Sequence, residues 1–326
     1  ESEAAPPVGP EARFELGSDL GLVGYYLPER SAWLLPDELI AHGLYEGAGV
    51  VRAQLLGAYV AAARGNERAL PLTRVHAVRY GSFLARGDRA VPLYRGNPPR
   101  ERPGADALLE ASVLAGDYLL RHQKPDGSFN YVVKGTTGAP GTTYNLLRHA
   151  GTAYVLYELA RATGRAPYRE AADKAMRWLI ERHGRTRGYA DDGLAIVEND
   201  EAKLGGAALA LLAIVEAHRG GSYGETLPTA HDLARYLLSQ QEPSGRFVSK
   251  TTWSTGDVDD FESLYYPGEA IFALAQLHIE DGDERWLSAS ERAASYLITV
   301  RDRDVPADTL EHDHWLLRGL EQLQAK

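Results

Sequence analysis

Four positions carry side chains that could act together on one substrate: Arg148, Lys203, Tyr266 and His312. Each falls at the start of a strongly apolar, helix-length segment. Tyr266 stands 118 residues beyond Arg148, Gly151 and Gly206 set Lys203 in register with Arg148, and the last segment sets His312 there. Charge is costly at a buried helix start, and a cation gains nothing from the positive end of the helix dipole. Arg148 and Lys203 therefore point to an anion held between helix starts, or else to pairing with nearby acids. Glu201, Asp259, Asp260, Glu262, Glu269, Glu311 and Asp313 supply those acids.

The same acids could do the chemistry. Cleavage of a glycosidic bond needs one carboxyl as acid and another as base or nucleophile. Glu262 or Asp260 with Asp313 is the pair expected from position, with Glu269 a further candidate. Tyr265 and Tyr266 add hydroxyls able to move a proton. Aromatic and polar side chains at the same rim (Tyr144, Asn145, His149, Trp253, His314 and Trp315) suit the faces and hydroxyls of sugar rings. His312-Asp313-His314 is a poor metal pair, because residues two apart diverge on a helix. No metal or other cofactor is expected.

The elements that must position these groups repeat. Gln123-Lys124-Pro125-Asp126-Gly127-Ser128-Phe129 matches Gln241-Glu242-Pro243-Ser244-Gly245-Arg246-Phe247 at the 118-residue shift. Gly164 matches Gly282, and Tyr168 matches Trp286. A repeat of this kind fixes the architecture before any single element does. Helices apolar nearly all round are expected from about 145, 201, 264 and 310. Amphipathic helices are expected from about 105, 168, 229 and 284. Buried helices alternating with half-exposed ones make an inner ring inside an outer one, an α/α toroid of about four helical hairpins over 105–326. The long Gly- and Thr-containing connections argue against an open helical solenoid.

Ahead of the toroid, residues 11–104 read as a small mixed α+β region. It has short strands, a helix over Val50–Arg64 and a hairpin around Arg86-Gly87-Asp88. That Arg-Gly-Asp triplet reads as a turn, not an adhesion signal. Residues 1–10 are polar and Pro-rich and read as a disordered leader, which favours a secreted or periplasmic protein. A net charge of −10 disfavours nucleic acid as a partner. No run is long and apolar enough to span a membrane, and the absence of cysteine rules out disulfides and thiolate chemistry. The oligomeric state is left open.

The turn at Gln123–Phe129 resembles the Gln/Asp-Gly-Ser-aromatic repeats of terpene cyclases and prenyltransferases, and similar turns occur in toroid glycosidases and lyases. Asp257-Val258-Asp259-Asp260 resembles the Asp-x-Asp-Asp motif of class II cyclases. The resemblance implies Asp259 as the acid, although Phe261-Glu262 follows where Thr-Ala is usual. A strand-bearing region before a helical toroid is similar to the layout of glucuronyl C5-epimerases and other hairpin-toroid carbohydrate enzymes. That likeness implies a tyrosine and an acid at the C5 proton of a uronic acid, with basic residues on its carboxylate. The leading expectation is a carbohydrate-active enzyme for an anionic, uronate-type glycan, with oligosaccharide as partner. The alternatives are a terpene-cyclase-like enzyme and a non-catalytic toroid that binds a glycan or a protein.

Overall fold

The computed structural model describes residues 13–15, 21–45, 49–63, 74–94, 97–99, 102–133, 138–187, 193–221, 226–306 and 308–324. The leader expected over 1–10 lies outside the described residues. The chain divides into two compact units, Glu1–Gly104 and Ala105–Lys326.

The first unit contains β1 (Arg13–Glu15), β2 (Val23–Leu27), β3 (Ala32–Leu34), α1 (Pro36–Ala41), β4 (Val50–Arg52), α2 (Ala53–Ala63), β5 (His76–Arg79), β6 (Ser82–Arg86) and β7 (Arg89–Leu93). An antiparallel sheet in the order β3-β2-β5 packs Tyr25, Leu27 and Leu34 against Leu39 and Leu56. The helix expected from Val50 starts at Ala53 instead. Val50–Arg52 pair with Glu15, Phe14 and Arg13, and two consecutive β-branched valines favour that strand. The Arg-Gly-Asp triplet lies at the β6–β7 hairpin, with Arg86 opposite Arg89.

The second unit is an α/α toroid of four hairpins. Outer helices are α3 (Ala105–His122), α5 (Ala166–His183), α7 (Thr226–Ser239) and α9 (Glu284–Tyr296). Inner helices are α4 (Leu146–Thr163), α6 (Leu204–Arg219), α8 (Tyr266–Asp281) and α10 (His314–Gln324). The outer helices α5, α7 and α9 bury one stripe each, as Ala230, Leu233, Ala234 and Leu237 do on α7, whereas α3 buries only Gly116. In α6 every residue from Leu204 to Ala217 is buried. Each Leu fully withdrawn from water there is worth about 1.5–3 kcal/mol.

The 118-residue repeat is a repeat of contacts. The Gln123 amide donates to the carbonyl of Ala171 at 2.8 Å, and Gln241 does the same to Ala289 at 2.9 Å. Gly127 and Gly245 sit at φ +98° and +93°, each against a helix carbonyl, Lys174 and Arg292, that leaves no room for a Cβ. The inner helices α4 and α8 both end on a left-handed glycine, Gly164 and Gly282.

Three short strands precede or follow the inner helices: β9 (Ala195–Glu198), β10 (Glu201–Lys203) and β11 (Lys250–Thr252). With β8 (Gly184–Arg185) they form an antiparallel sheet in the order β11-β10-β9-β8. This corrects the helix expected from Glu201. Lys203 pairs with Lys250 across the sheet, and α6 begins only at Leu204. The first and last inner helices meet through side chains. Arg318 of α10 donates to Glu158 of α4 at 3.0 Å, and its guanidinium lies 4.4 Å from the Phe272 ring centre. Among the described residues, no helix is long and apolar enough to cross a membrane.

Candidate active site in the toroid cavity

The inner helices all start at one rim, and a cavity of about 880 Å³ opens there. Arg148 and Asn145 line it from the start of α4. Tyr265, Tyr266 and Glu269 come from α8, and His314 and Trp315 from α10. Tyr154, Phe272 and Trp315 form a cluster of tilted rings around the Arg318 guanidinium.

Pairing distinguishes the two ends of the ring. At the far end Arg161 and Arg219 both bind Glu216, and Arg219 also binds Glu280 at 2.6 Å. Those ions neutralise one another. At the cavity end two ionisable groups lack such partners. The Arg148 side chain is exposed and makes no hydrogen bond or ion pair to a described residue. The Glu269 side chain is only 5% exposed, and its buried Oε2 has no partner among the described residues.

Glu269 is held by glycine. Its carboxyl lies against Gly205 of α6, where a Cβ would collide with Oε2. On the other side of the α8 start, Oδ2 of Asp313 lies 2.6 Å from where a Cβ on Gly268 would be. Asp313 caps α10: its Oδ1 accepts from the N–H groups of Trp315 and Leu316 at 3.0 and 3.1 Å. Its Oδ2 is buried and unpartnered. Burial, and then the nearby Asp313 charge, push Glu269 up to about 8, against a smaller downward pull from Arg148. Burial also raises Asp313, although its two backbone hydrogen bonds oppose this. Glu269 therefore keeps its proton at neutral pH, in the form a general acid needs.

The remaining candidates divide. Tyr265, Tyr266, His314, Trp315 and Asn145 line the cavity. The Tyr266 hydroxyl is raised, chiefly by burial and then by Glu269, so it too stays protonated. Asn145 also caps α4, accepting from the Arg148 N–H at 2.9 Å. Tyr144 and His149 form a fixed support. The Tyr144 hydroxyl accepts from Phe129 N–H at 3.0 Å and lies 2.7 Å from His149 Nδ1, while His149 Nε2 lies 2.8 Å from the Ala175 carbonyl. Burial lowers His149 to about 4, so the ring is neutral. The network then assigns its proton to Nε2, with Nδ1 accepting from Tyr144.

Other candidates lie elsewhere. Lys203 does not line this cavity: its Nζ binds Glu201 at 3.0 Å and Glu198 at 3.9 Å, because the β9–β10 turn places both acids beside it. Glu262 is exposed and pairs with Arg246 at 2.6 Å, and Asp260 is exposed outside the cavity. Of the acids expected from position, Glu269 lines the cavity, whereas Glu262 and Asp260 do not. Asp259 is held by Lys250 at 3.0 Å and by Phe261 N–H, which lower it and make it a poor proton donor. Trp253 lines a separate pocket with Arg187, whose guanidinium stacks 4.7 Å from its ring centre. His312 is exposed. Sequence reasoning overlooked Arg187 and the supporting glycine Gly205, and it gave no reason to pair Glu269 with Asp313.

No protein-family model and no curated protein matches this sequence. Solved structures do resemble the fold. A D-mannose isomerase matches with a TM-score of 0.53 at 16% identity, over 64% of this chain and 55% of its own. A sugar epimerase from a ruminal bacterium gives 0.53 at 14% identity, over 67% of this chain and 66% of its own. A GH76 α-mannanase from Bacteroides thetaiotaomicron gives 0.46 at 13% identity, over 57% of this chain and 54% of its own. The chain thus spans between about half and two thirds of the length of these proteins. At such identities the likeness establishes the toroid fold and nothing finer.

Proposed function

We propose that this chain is a carbohydrate-active enzyme acting on an anionic, uronate-type glycan, with Glu269 as the general acid. The observation that carries the reading is the buried, unpartnered and protonated Glu269 carboxyl in a cavity that also contains the unpaired Arg148. A uronate carboxylate would pair with the guanidinium, and Glu269 would deliver its proton to the substrate oxygen or carbon that gains electron density. Burial holds the acid protonated, and the neighbouring Asp313 charge adds to it. Tyr265, Tyr266 and Trp315 give the sugar flat apolar faces. The sugar-acting names of the structural neighbours are in keeping with this reading.

Incubation with oligogalacturonides and with neutral manno-oligosaccharides, followed by product analysis, tests it. The expected result is turnover of the uronate series by the wild type. It should fall by at least about a hundredfold in Glu269→Gln, as expected for a general acid, while binding persists. Equal turnover by Glu269→Gln, or turnover of the neutral series alone, would overturn it.

A further inference from the structure

The cavity does not end at Arg148. A smaller cleft of about 110 Å³ continues past it and shares Tyr131, Asn145, Arg148 and Thr152 with the main cavity. Its outer walls are the C-terminal turn of α3 and the segment after the Gln123–Phe129 turn. The geometry points to a second sugar subsite here, so that the enzyme would grip an oligosaccharide on both sides of Arg148. This inference rests on the glycan reading above and extends it to chain length.

Three observations carry it. Tyr118 and Tyr131 leave 46% and 41% of their surface exposed on the two walls. Tyr118 is fixed in place by the His122 ring at 4.3 Å, and Tyr131 faces Tyr144 at 6.3 Å. Between them lie polar groups with nothing to bind among the described residues. Nδ1 of His122 is buried and unpartnered, and the Asn130 side chain makes no hydrogen bond. A buried nitrogen left unpaired is costly, and a sugar hydroxyl would satisfy it. Flat rings flanking free donors and acceptors suit a pyranose, whose faces are apolar and whose edges are hydroxyls. Finally, Arg148 stands where the two spaces meet, so a carboxylate on it would place neighbouring residues of the same chain on both sides.

Calorimetric titration with oligogalacturonides of one to four residues, and with the matching manno-oligosaccharides, tests the subsite on the full chain. Wild type, Tyr118→Ala and His122→Ala would be compared, with Glu269→Gln turnover measured alongside. The expected result is that wild-type affinity for the uronate series rises with length. Tyr118→Ala should lower tetramer affinity roughly three- to tenfold, the worth of one lost ring contact, and the monomer much less. His122→Ala should show the same length dependence. Losses equal at every length, or no gain from monomer to tetramer in the wild type, would overturn the subsite. If Glu269→Gln still abolished turnover in that case, the acid assignment would stand alone. If no member of either series bound, both inferences would fall.

Discussion

The Glu269 carboxyl rests on the bare backbone of Gly205, one inner helix away. That contact gives the acid its depth without giving it a hydrogen-bond donor. The Tyr266 ring and the Leu147 side chain, 2.6 and 3.0 Å from where a Cβ on Gly205 would be, complete the seat.

Gly205→Ala is therefore expected to harm activity more than stability. All three groups in the path of the new methyl are side chains, which can give way where backbone could not. The displaced groups are those lining the cavity. Thermal unfolding should change by only a few degrees, while kcat falls. Full activity with an unchanged melting curve would argue against the seat.

Gly268→Ala should behave in the opposite way. Its methyl would meet the backbone nitrogen of Leu316 as well as Asp313 Oδ2, both at 2.6 Å. Backbone cannot rotate aside, so α10 must shift. A loss of about 1–3 kcal/mol in denaturant unfolding is expected.

The protonation of Glu269 links stability to pH. Its folded value is about 8, against an ordinary 4.5. Because the folded state holds the proton more tightly, the stabilisation is complete below about 4.5 and is lost as pH rises through about 8. The wild type should therefore lose stability relative to Glu269→Gln across that window, followed as melting temperature against pH. Activity should fall with the same alkaline limb. Parallel curves for the two proteins would place the perturbed group elsewhere.

Arg148 and Lys203 give a paired test. Arg148→Ala removes an exposed, unpaired group, so stability should stay within about 0.5 kcal/mol. Binding of uronates should weaken, and the alkaline limb should move upward, since Arg148 lowers Glu269. Lys203→Ala breaks the pairing with Glu201 and Glu198 and should leave uronate binding intact. Isothermal titration of both variants with one oligogalacturonide distinguishes them.

Tyr144→Phe would strand His149 Nδ1 and the Phe129 N–H together. A cost of about 1–3 kcal/mol is expected for buried groups left unpaired, read by chemical unfolding. A neutral result would mean that water replaces the hydroxyl.

How far the sequence reveals this molecule depends on the range of the interaction. The repeat is local, so Gln123 and Gln241, Gly127 and Gly245, and the closing Gly164 and Gly282 mark the hairpins in the sequence itself. Glu201–Lys203 read as helix because the local pattern is weak there, while the pairing with β9 and β11 that overrides it comes from distant segments. The placement of the acids was hidden for a related reason. Glu262 and Asp260 stand close before an inner helix in the sequence, but only the folded loop shows that Glu262 turns out to meet Arg246. Glu269 carries no spacing signal that separates it from its neighbours. What distinguishes it is depth, and the room for that depth comes from a glycine on another helix, Gly205.

The clasp between Arg318 and Glu158 joins residues 160 positions apart. Contacts of that separation close late, after the loop entropy has been met by nearer pairings. Asp313 caps α10, the closing helix, and His314 and Trp315 lie in its first turn. Nascent hairpins could stack in order from the first to the third and still have no cavity floor and no tuned acid. Assembly of the ring and the appearance of a working proton donor would be one event in time.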